Sequence, residues 1–229
     1  MTRIVDPVLD GLRQQILRMG SLAEEILAKS VSAVLKRDAA LAREVKIDDL
    51  EIDRLDLAVD EAVLRALATQ APVADDLRGV IAIKMMATDL ERVGDLARNI
   101  AKSALRLCER PEVETPEKLR ILADEARRLL RNALDSFSSH DAERAAHVLD
   151  DDDQVDRDQD EVIQAAIQKI ALHPELTSPE VDFILIAKNL ERVADHATNI
   201  AEDVIMVTEA RNVKHASKLA GSESDEQGH

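Results

Sequence analysis

The sequence predicts an all-α protein built from two tandem three-helix bundles that are related by internal duplication. Residues 89–101 (DLERVGDLARNIA) are nearly repeated at residues 189–201 (NLERVADHATNIA), and a repeat at a fixed spacing indicates a duplicated unit. The only aromatic residues are Phe137 and Phe183, so the core must be aliphatic, which suits packed helices better than a sheet sandwich. Because only six glycines and six prolines occur in 229 residues, the helices should be long.

The first bundle should contain three helices. Asp6 followed by a proline is a helix start, and an apolar seam then predicts one helix over about residues 7–37. Asp38 is the expected N-cap of the second helix, and Pro72 ends that helix. The third helix is expected over about residues 74–108, where it carries the first copy of the repeat.

The second helix has more apolar surface than one core-facing stripe requires. Its main apolar stripe extends from Leu41 to Val63. A smaller stripe on another side consists of Leu50, Leu57 and Leu64. Because so little of this helix is polar, we expect it to be packed between neighbouring helices.

The second bundle should repeat the order of the first. Residues 109–115 form the most loop-like interior stretch and separate the two bundles. Thr115 should cap the fourth helix and Ser178 should start the sixth, because each precedes a proline. Asp141 should cap the fifth helix, which runs to about Leu172. The expected domains are therefore a first bundle over residues 1–110, a second bundle over residues 111–210 and a disordered polar tail over residues 211–229.

Acidic residues four positions apart recur on the second and third helices of both bundles. They form rows away from the main apolar stripes, so we expect them on an outward face. If these helices are neighbours, each bundle brings four carboxylates together, and such oxygen ligands suit Mg²⁺, Mn²⁺, Ca²⁺ or iron. The alternative is a solvated acidic surface with no metal. The predicted metal ligands are Asp49, Asp53, Glu91 and Asp95 in the first bundle, and Asp152, Asp156, Glu191 and Asp195 in the second.

Other residues of the repeated stretch lie beside these acidic rows. Arg92 and Arg192 could bind an anion, but an ion pair with a nearby carboxylate is the simpler expectation. His196 has Leu96 as its counterpart, so it cannot have a role common to both bundles, and we expect a packed or exposed histidine. Gly94 suggests that a neighbouring helix comes close to the acidic row.

The composition excludes several kinds of partner. A net charge of −16 argues against binding to nucleic acid or to an anionic lipid surface, and it favours cations and basic protein surfaces. The single cysteine, Cys108, cannot form an internal disulfide, which is typical of a reducing compartment. We find neither a signal peptide nor an apolar run of about 18 residues, so we expect a cytoplasmic protein.

The sequence contains no arrangement typical of an enzyme. It has no Gly-rich phosphate loop, no nucleophile motif and no Glu-x-x-His pair of the kind found in di-iron bundles. We therefore expect a binding protein with no catalytic residues. Two alternatives remain open, namely a metalloenzyme that uses a carboxylate cluster and a plain helical scaffold with an acidic surface.

The stretches TDLERVGDLARNIA (88–101) and KNLERVADHATNIAE (188–202) resemble the paired signatures of the PhoU family, and the resemblance extends from the first helix to about residue 210. It implies two PhoU-like bundles whose eight carboxylates bind metal ions, with Mg, Mn, Fe or Zn as candidates. It also implies negative regulation of the phosphate-starvation response, through the ATPase subunit of the phosphate-specific ABC transporter and a phosphate-sensing histidine kinase. We expect a homodimer that reaches the membrane only through these partners.

Overall fold

The computed structural model describes residues 6–214, and within that range the secondary structure is entirely helical. The prediction of an all-α fold is therefore confirmed. The helices are α1 (Asp6–Lys36), α2 (Ala39–Gln70), α3 (Asp75–Cys108), α4 (Glu117–Ser139), α5 (Ala142–Leu172) and α6 (Thr177–Glu209), with a short 3₁₀ helix at Pro174–Leu176.

Duplicated aspartates start the second helix of each bundle. The Asp38 carboxylate accepts hydrogen bonds from the backbone N–H groups of Ala40 and Leu41, at 2.9 and 3.0 Å. The Asp141 carboxylate accepts one from the N–H of Arg144, at 2.9 Å. Both predicted N-caps are confirmed, because these bonds satisfy N–H groups that have no partner within the helix.

Two predicted helix starts differ by one or two residues. Thr115 is not the cap of α4, since the helix begins at Glu117 and Pro116 occupies the N-cap position without a side-chain hydrogen bond. The sixth helix begins at Thr177, one residue before Ser178, because the 3₁₀ turn leads directly into it. The hydroxyl of Thr177 donates to the carbonyl of Pro174 at 2.6 Å, which joins the two helical segments.

The helices form two three-helix bundles that share one core. Helices α1, α2 and α3 pack against one another, α5 and α4 pack against α6, and contacts of α3 with α6 and of α1 with α4 join the two bundles. The buried aliphatic side chains of both bundles, together with Phe183, form one continuous apolar cluster. None of the helices within residues 6–214 is long and apolar enough to cross a bilayer.

Helix α2 packs against α1 and α3, but its second apolar side is left uncovered, which corrects our expectation for that side. Its main stripe is buried, as shown by Val45, Ile52 and Val59. The smaller stripe faces solvent: Leu57 is 65% exposed and Leu64 is 68% exposed. In a three-helix bundle each helix has only two neighbours, so the second apolar side of α2 has nothing within its own bundle to cover it.

The start of the predicted tail is ordered in the described range. Val213 packs partly buried against the core, and the Lys214 ammonium lies 3.0 Å from the carboxylate of the buried Asp203. The rest of the predicted tail, residues 215–229, lies outside the described residues.

Candidate functional site

Neighbouring helices place the predicted metal ligands in two groups. Because α2 packs on α3 and α5 packs on α6, the carboxylates of each bundle are close enough to influence one another electrostatically. The structure therefore brings together the residues that the sequence grouped. The first cluster consists of Asp49, Asp53, Glu91 and Asp95. The second cluster consists of Asp152, Asp156, Glu191 and Asp195.

Arg98 lies inside the first cluster. Its Nη1 donates to Oδ2 of Asp49 at 2.5 Å, and its Nη2 donates to Asp95. Asp49 is only 1% exposed, so the expectation that the whole acidic row faces outward is wrong at this position. Burial raises the pKa of Asp49, and Asp53 and Asp95 raise it further, while the charge of Arg98 lowers it. The guanidinium thus compensates two of the four carboxylates.

Two more basic side chains neutralise the acidic face of the first bundle. The ammonium of Lys84 lies 3.4 Å from Asp56 and also pairs with Asp60. Arg92 lies 3.1 Å from Asp95 and 3.3 Å from Glu91, which confirms the ion pair predicted for this arginine. The acidic row on α2 therefore has cations supplied by α3.

The second cluster lacks the counterparts of two of these basic residues. Thr198 occupies the position of Arg98 in the repeat, and Ile184 occupies that of Lys84. The pKa of Glu191 rises to about 7, because burial and the nearby charges of Asp195, Asp156 and Asp152 all disfavour its ionised form. Only Arg192 acts in the opposite direction. Two of the cations that lie beside the first cluster therefore have no counterpart at these positions of the second.

The two clusters differ in how well they suit a metal ion. In the described part of the chain, no group of three or more His, Cys, Asp or Glu side chains has the arrangement of a metal site. In the first cluster Arg98 already occupies the space between Asp49 and Asp95. Because of this guanidinium, the carboxylates of the first cluster do not fit a metal ion in the observed arrangement. The second cluster has Thr198 at the repeat position of Arg98, and its carboxylate oxygens are the hard donors that a cation prefers. Metal binding by the eight carboxylates remains a prediction.

Sequence reasoning missed a polar contact that joins the two bundles. Nδ1 of His196 lies 2.8 Å from Oδ1 of Asp89, and Nδ2 of Asn199 donates to the same oxygen at 3.2 Å. Of the two environments that we expected for His196, packed or exposed, the structure shows the packed one, since His196 contacts α3. The repeat could have signalled these residues, because Asp89 corresponds to Asn189 and Arg98 to Thr198, and such differences identify contacts that only one bundle makes.

The opposite end of the α3–α6 contact has a basic character. A groove of about 410 Å³ opens there. Its charged lining consists of Lys102, Arg106, Lys188 and Arg192. Arg106 is already paired with Asp182, so the carboxylate of Asp182 neutralises part of the positive charge of the groove.

Comparison with known proteins identifies the family. The PhoU domain model matches twice, at residues 16–104 and 119–204, so each bundle is one copy of that domain. The chain belongs to the PhoU family. The "phosphate-specific transport system accessory protein PhoU homolog" of Pseudomonas putida is 35% identical over 210 residues, which cover 90% of this chain and 81% of that protein.

Solved PhoU structures have the same architecture. The crystal structure of PhoU from Pseudomonas aeruginosa superposes with a TM-score of 0.87 at 33% identity, covering 90% of this chain and all of that one. The phosphate transport system regulatory protein PhoU from Streptococcus pneumoniae gives a TM-score of 0.85 at 28% identity, covering 91% of this chain and 98% of that one. The predicted tandem PhoU-like fold and the resemblance drawn from residues 88–101 and 188–202 are both confirmed.

Proposed function

We propose that this chain is a regulatory accessory protein of phosphate-specific transport, which represses the phosphate-starvation response when phosphate is plentiful. The observation that carries the proposal is similarity along nearly the whole chain to PhoU homologs that are named as accessory proteins of this transport system. Both PhoU domains are present, and neither lacks a helix. The similarity therefore covers both bundles.

In this function the chain acts by contact with other proteins and catalyses no reaction. Its partners are the ATPase subunit of the phosphate-specific ABC transporter and a phosphate-sensing histidine kinase, which it meets in the cytoplasm. It modulates phosphate uptake through the first partner and signalling through the second. A net charge of −16 supports docking on basic protein surfaces and opposes direct binding to nucleic acid or to anionic lipid.

Deletion of the gene tests this function. We expect a deletion strain to express a phosphate-starvation reporter in medium rich in phosphate, and we expect the intact gene supplied in trans to restore repression. A pull-down from cells grown in high and low phosphate should recover the transporter ATPase and the kinase. Normal repression in the deletion strain at high phosphate would contradict the proposal.

We further propose that the second cluster binds a divalent or trivalent cation through Asp152, Asp156, Glu191 and Asp195. The support is chemical: four carboxylates share a site whose mutual repulsion a cation would relieve. In the first cluster, a metal held by Asp49, Asp53, Glu91 and Asp95 would have to displace Arg98. We therefore expect the second cluster to bind metal more tightly than the first.

The repeat offers a matched pair of substitutions to test the metal proposal. The protein would be stripped with a chelator, reloaded with Mn²⁺ and subjected to elemental analysis. Thr198→Arg should lower the metal content, because it places a guanidinium where the first cluster has one. Arg98→Thr, the reverse exchange, should leave the metal content unchanged or raise it. If Thr198→Arg and Glu191→Gln both retain the wild-type content, the second cluster is not a metal site.

A further inference from the structure

The basic groove at one end of the α3–α6 contact has no role in the proposals above. Helix α3 supplies Lys102 and Arg106 to this groove, and α6 supplies Lys188 and Arg192. The two cations of each helix are four residues apart, so they lie one turn apart on the same face. The groove volume of about 410 Å³ is within the range of pockets that hold small molecules, about 300–1,000 Å³. Its size and charge therefore suit a small anion.

The duplication supplies an internal control for this charge. Each groove residue of one helix has a counterpart 100 residues away on the other helix, at the opposite end of the α3–α6 contact. At five positions the groove side chain is one or two charge units more positive than its counterpart. With the counterparts in parentheses, these are Lys102 (Glu202), Ser103 (Asp203), Arg106 (Met206), Lys188 (Thr88) and Asn189 (Asp89). The fold therefore does not require a basic surface here.

Arg106 is held in position by contacts within the protein. Its Nε donates to Oδ1 of the buried Asp182 at 2.7 Å, and its Nη2 donates to Oγ of Ser103 at 2.7 Å. Its Nη1 donates no hydrogen bond to any residue in the range 6–214. A guanidinium that is already fixed loses little conformational entropy when it binds an anion, so Arg106 is preorganised.

The other three cations of the groove are available to a ligand. Lys102, Lys188 and Arg192 form no ion pair with a carboxylate of the described residues. The ammonium of Lys102 donates only to the uncharged Oδ1 of Asn99, at 3.1 Å. Arg192 is close enough to Glu191 to lower its pKa. Cations gathered around one groove repel one another, and a bound anion would relieve this repulsion.

We propose that the basic groove binds a small anion that carries two or more phosphoryl groups. Phosphoryl groups carry more negative charge than a carboxylate and have three strong acceptor oxygens. Guanidinium groups pair with these oxygens in a bidentate fashion, and ammonium groups act as point charges beside them. Two pairs of cations, each one turn long, suit an extended phosphate chain better than a single compact ion. The inference does not rest on the proposed function, so the deletion experiment and the binding experiment can fail independently.

Calorimetric titration of the purified full-length chain with inorganic triphosphate tests the proposal. We expect a dissociation constant of about 100 μM or lower at about 0.1 M salt. EDTA in the buffer keeps metal ions off the acidic clusters, so the anion cannot bind there through a metal bridge. Orthophosphate and citrate should bind at least about 10-fold more weakly, because one lacks a phosphate chain and the other lacks phosphoryl groups. Equal binding of either would overturn the proposal.

ATP, titrated under the same conditions, distinguishes two sources of the phosphate chain. Binding of ATP as tight as that of triphosphate would assign the groove to a nucleotide. Binding of ATP at least about 10-fold weaker would assign it to an inorganic phosphate chain, because the nucleoside then hinders binding. Both outcomes agree with the proposal. Failure to bind triphosphate at about 1 mM would overturn it.

Substitutions that copy the opposite end of the contact locate the site. Lys188→Thr and Lys102→Glu should each raise the dissociation constant for triphosphate about 10-fold or more. Lys46→Thr and Lys46→Glu make the same changes at an exposed position of α2, outside the groove, and should change it less than about 2-fold. Circular dichroism would verify that each variant is folded. Equal weakening by the groove and control substitutions would overturn the proposal, since only the net charge would then matter.

Discussion

Arg98 determines the electrostatic character of the first cluster. It reaches from α3 to Asp49 on α2 and also binds Asp95 on its own helix. In the second bundle Thr198 stands at this position, and the pKa of Glu191 rises to about 7. One difference between the two copies of the repeat thus removes from the second cluster the guanidinium that pairs with two carboxylates of the first.

Gly94 allows α2 to approach α3 beside the first cluster. A Cβ at this residue would lie 2.8 Å from Oδ1 of Asp49 and 3.0 Å from Cδ1 of Ile52. Alanine would favour the helix by about 1 kcal/mol, but the crowding should outweigh this gain because Arg98 holds Asp49 in place. We expect Gly94→Ala to lower the free energy of unfolding by about 1–2 kcal/mol, measured by urea denaturation.

Gly11→Ala is the matched control for that measurement. A Cβ at Gly11 would meet nothing within 4 Å, so only the helix propensity changes. We expect the free energy of unfolding to rise by up to about 1 kcal/mol. Equal stabilisation by the two substitutions would show that α2 and α3 do not meet closely at Gly94.

Asp203 should make the protein less stable as the pH rises. Burial raises its pKa from 3.8 to about 6, and the charges of Asp89 and Glu202 act in the same direction, while Lys214 opposes them. Between these two values the folded chain holds more protons at this residue than the unfolded chain. The free energy of unfolding that it contributes therefore falls as pH increases from about 4 to about 6 and stays low above that range.

Replacing Asp203 with asparagine tests this pH dependence. Asp203→Asn should raise the free energy of unfolding at pH 7 by about 1–3 kcal/mol and change it little at pH 4, since the acid is already neutral there. Denaturant titrations at both pH values would measure the effect. Asp150→Asn, at an exposed position on α5, should change neither value. If the free energy of unfolding changes between pH 4 and pH 7 as much in Asp203→Asn as in the wild type, Asp203 is not the source of the pH dependence.

At the scale of elements, an ionic link fastens the start of α6 to the end of α3. Nε of Arg106 donates to Oδ1 of the buried Asp182 at 2.7 Å, and Arg110 binds the other carboxylate oxygen. The repeat places Ala82 and Met206 at the positions of Asp182 and Arg106, so this link occurs at only one end of the α3–α6 contact. It supplements the apolar packing that joins the two bundles.

Removal of this link should loosen the contact between the bundles. We expect Asp182→Ala to lower the free energy of unfolding by about 3 kcal/mol. This value is at the low end for a broken buried ion pair, because both arginines can reach solvent once the carboxylate is gone. The exposed pair of Arg211 with Glu209, at 3.1 Å, provides the control. Glu209→Ala should change the stability by less than about 1 kcal/mol. Similar losses from both substitutions would show that Asp182 is not a structural anchor.

Helices α2 and α5 show how one element can diverge after duplication. Both keep the aspartate cap and the buried stripe, because the bundle needs them. The outer face is free to change: Asp150, Asp153 and Asp160 of α5 stand where α2 has Ile47, Leu50 and Leu57. Packing within the bundle constrains the buried side chains but not the exposed ones. The two helices therefore keep similar buried stripes and differ on their outer faces.

At the scale of the whole molecule, the two bundles form one body around a shared aliphatic core. The α3–α6 contact brings the two repeated stretches together. Different polar residues lie at its two ends. Asp89, His196 and Asn199 lie at one end, and the basic groove lies at the other. A protein of net charge −16 thus keeps a local basic surface.

The sequence by itself determined the helices, their order, the duplication and the grouping of eight carboxylates into two clusters. These features depend on periodicity, caps and spacing, which are local properties of the chain. Only the tertiary structure decided that Asp49 is buried beside Arg98 and that the smaller stripe of α2 faces solvent. Both facts depend on which helix lies next to which, and residues 49 and 98 meet only because α2 and α3 pack side by side.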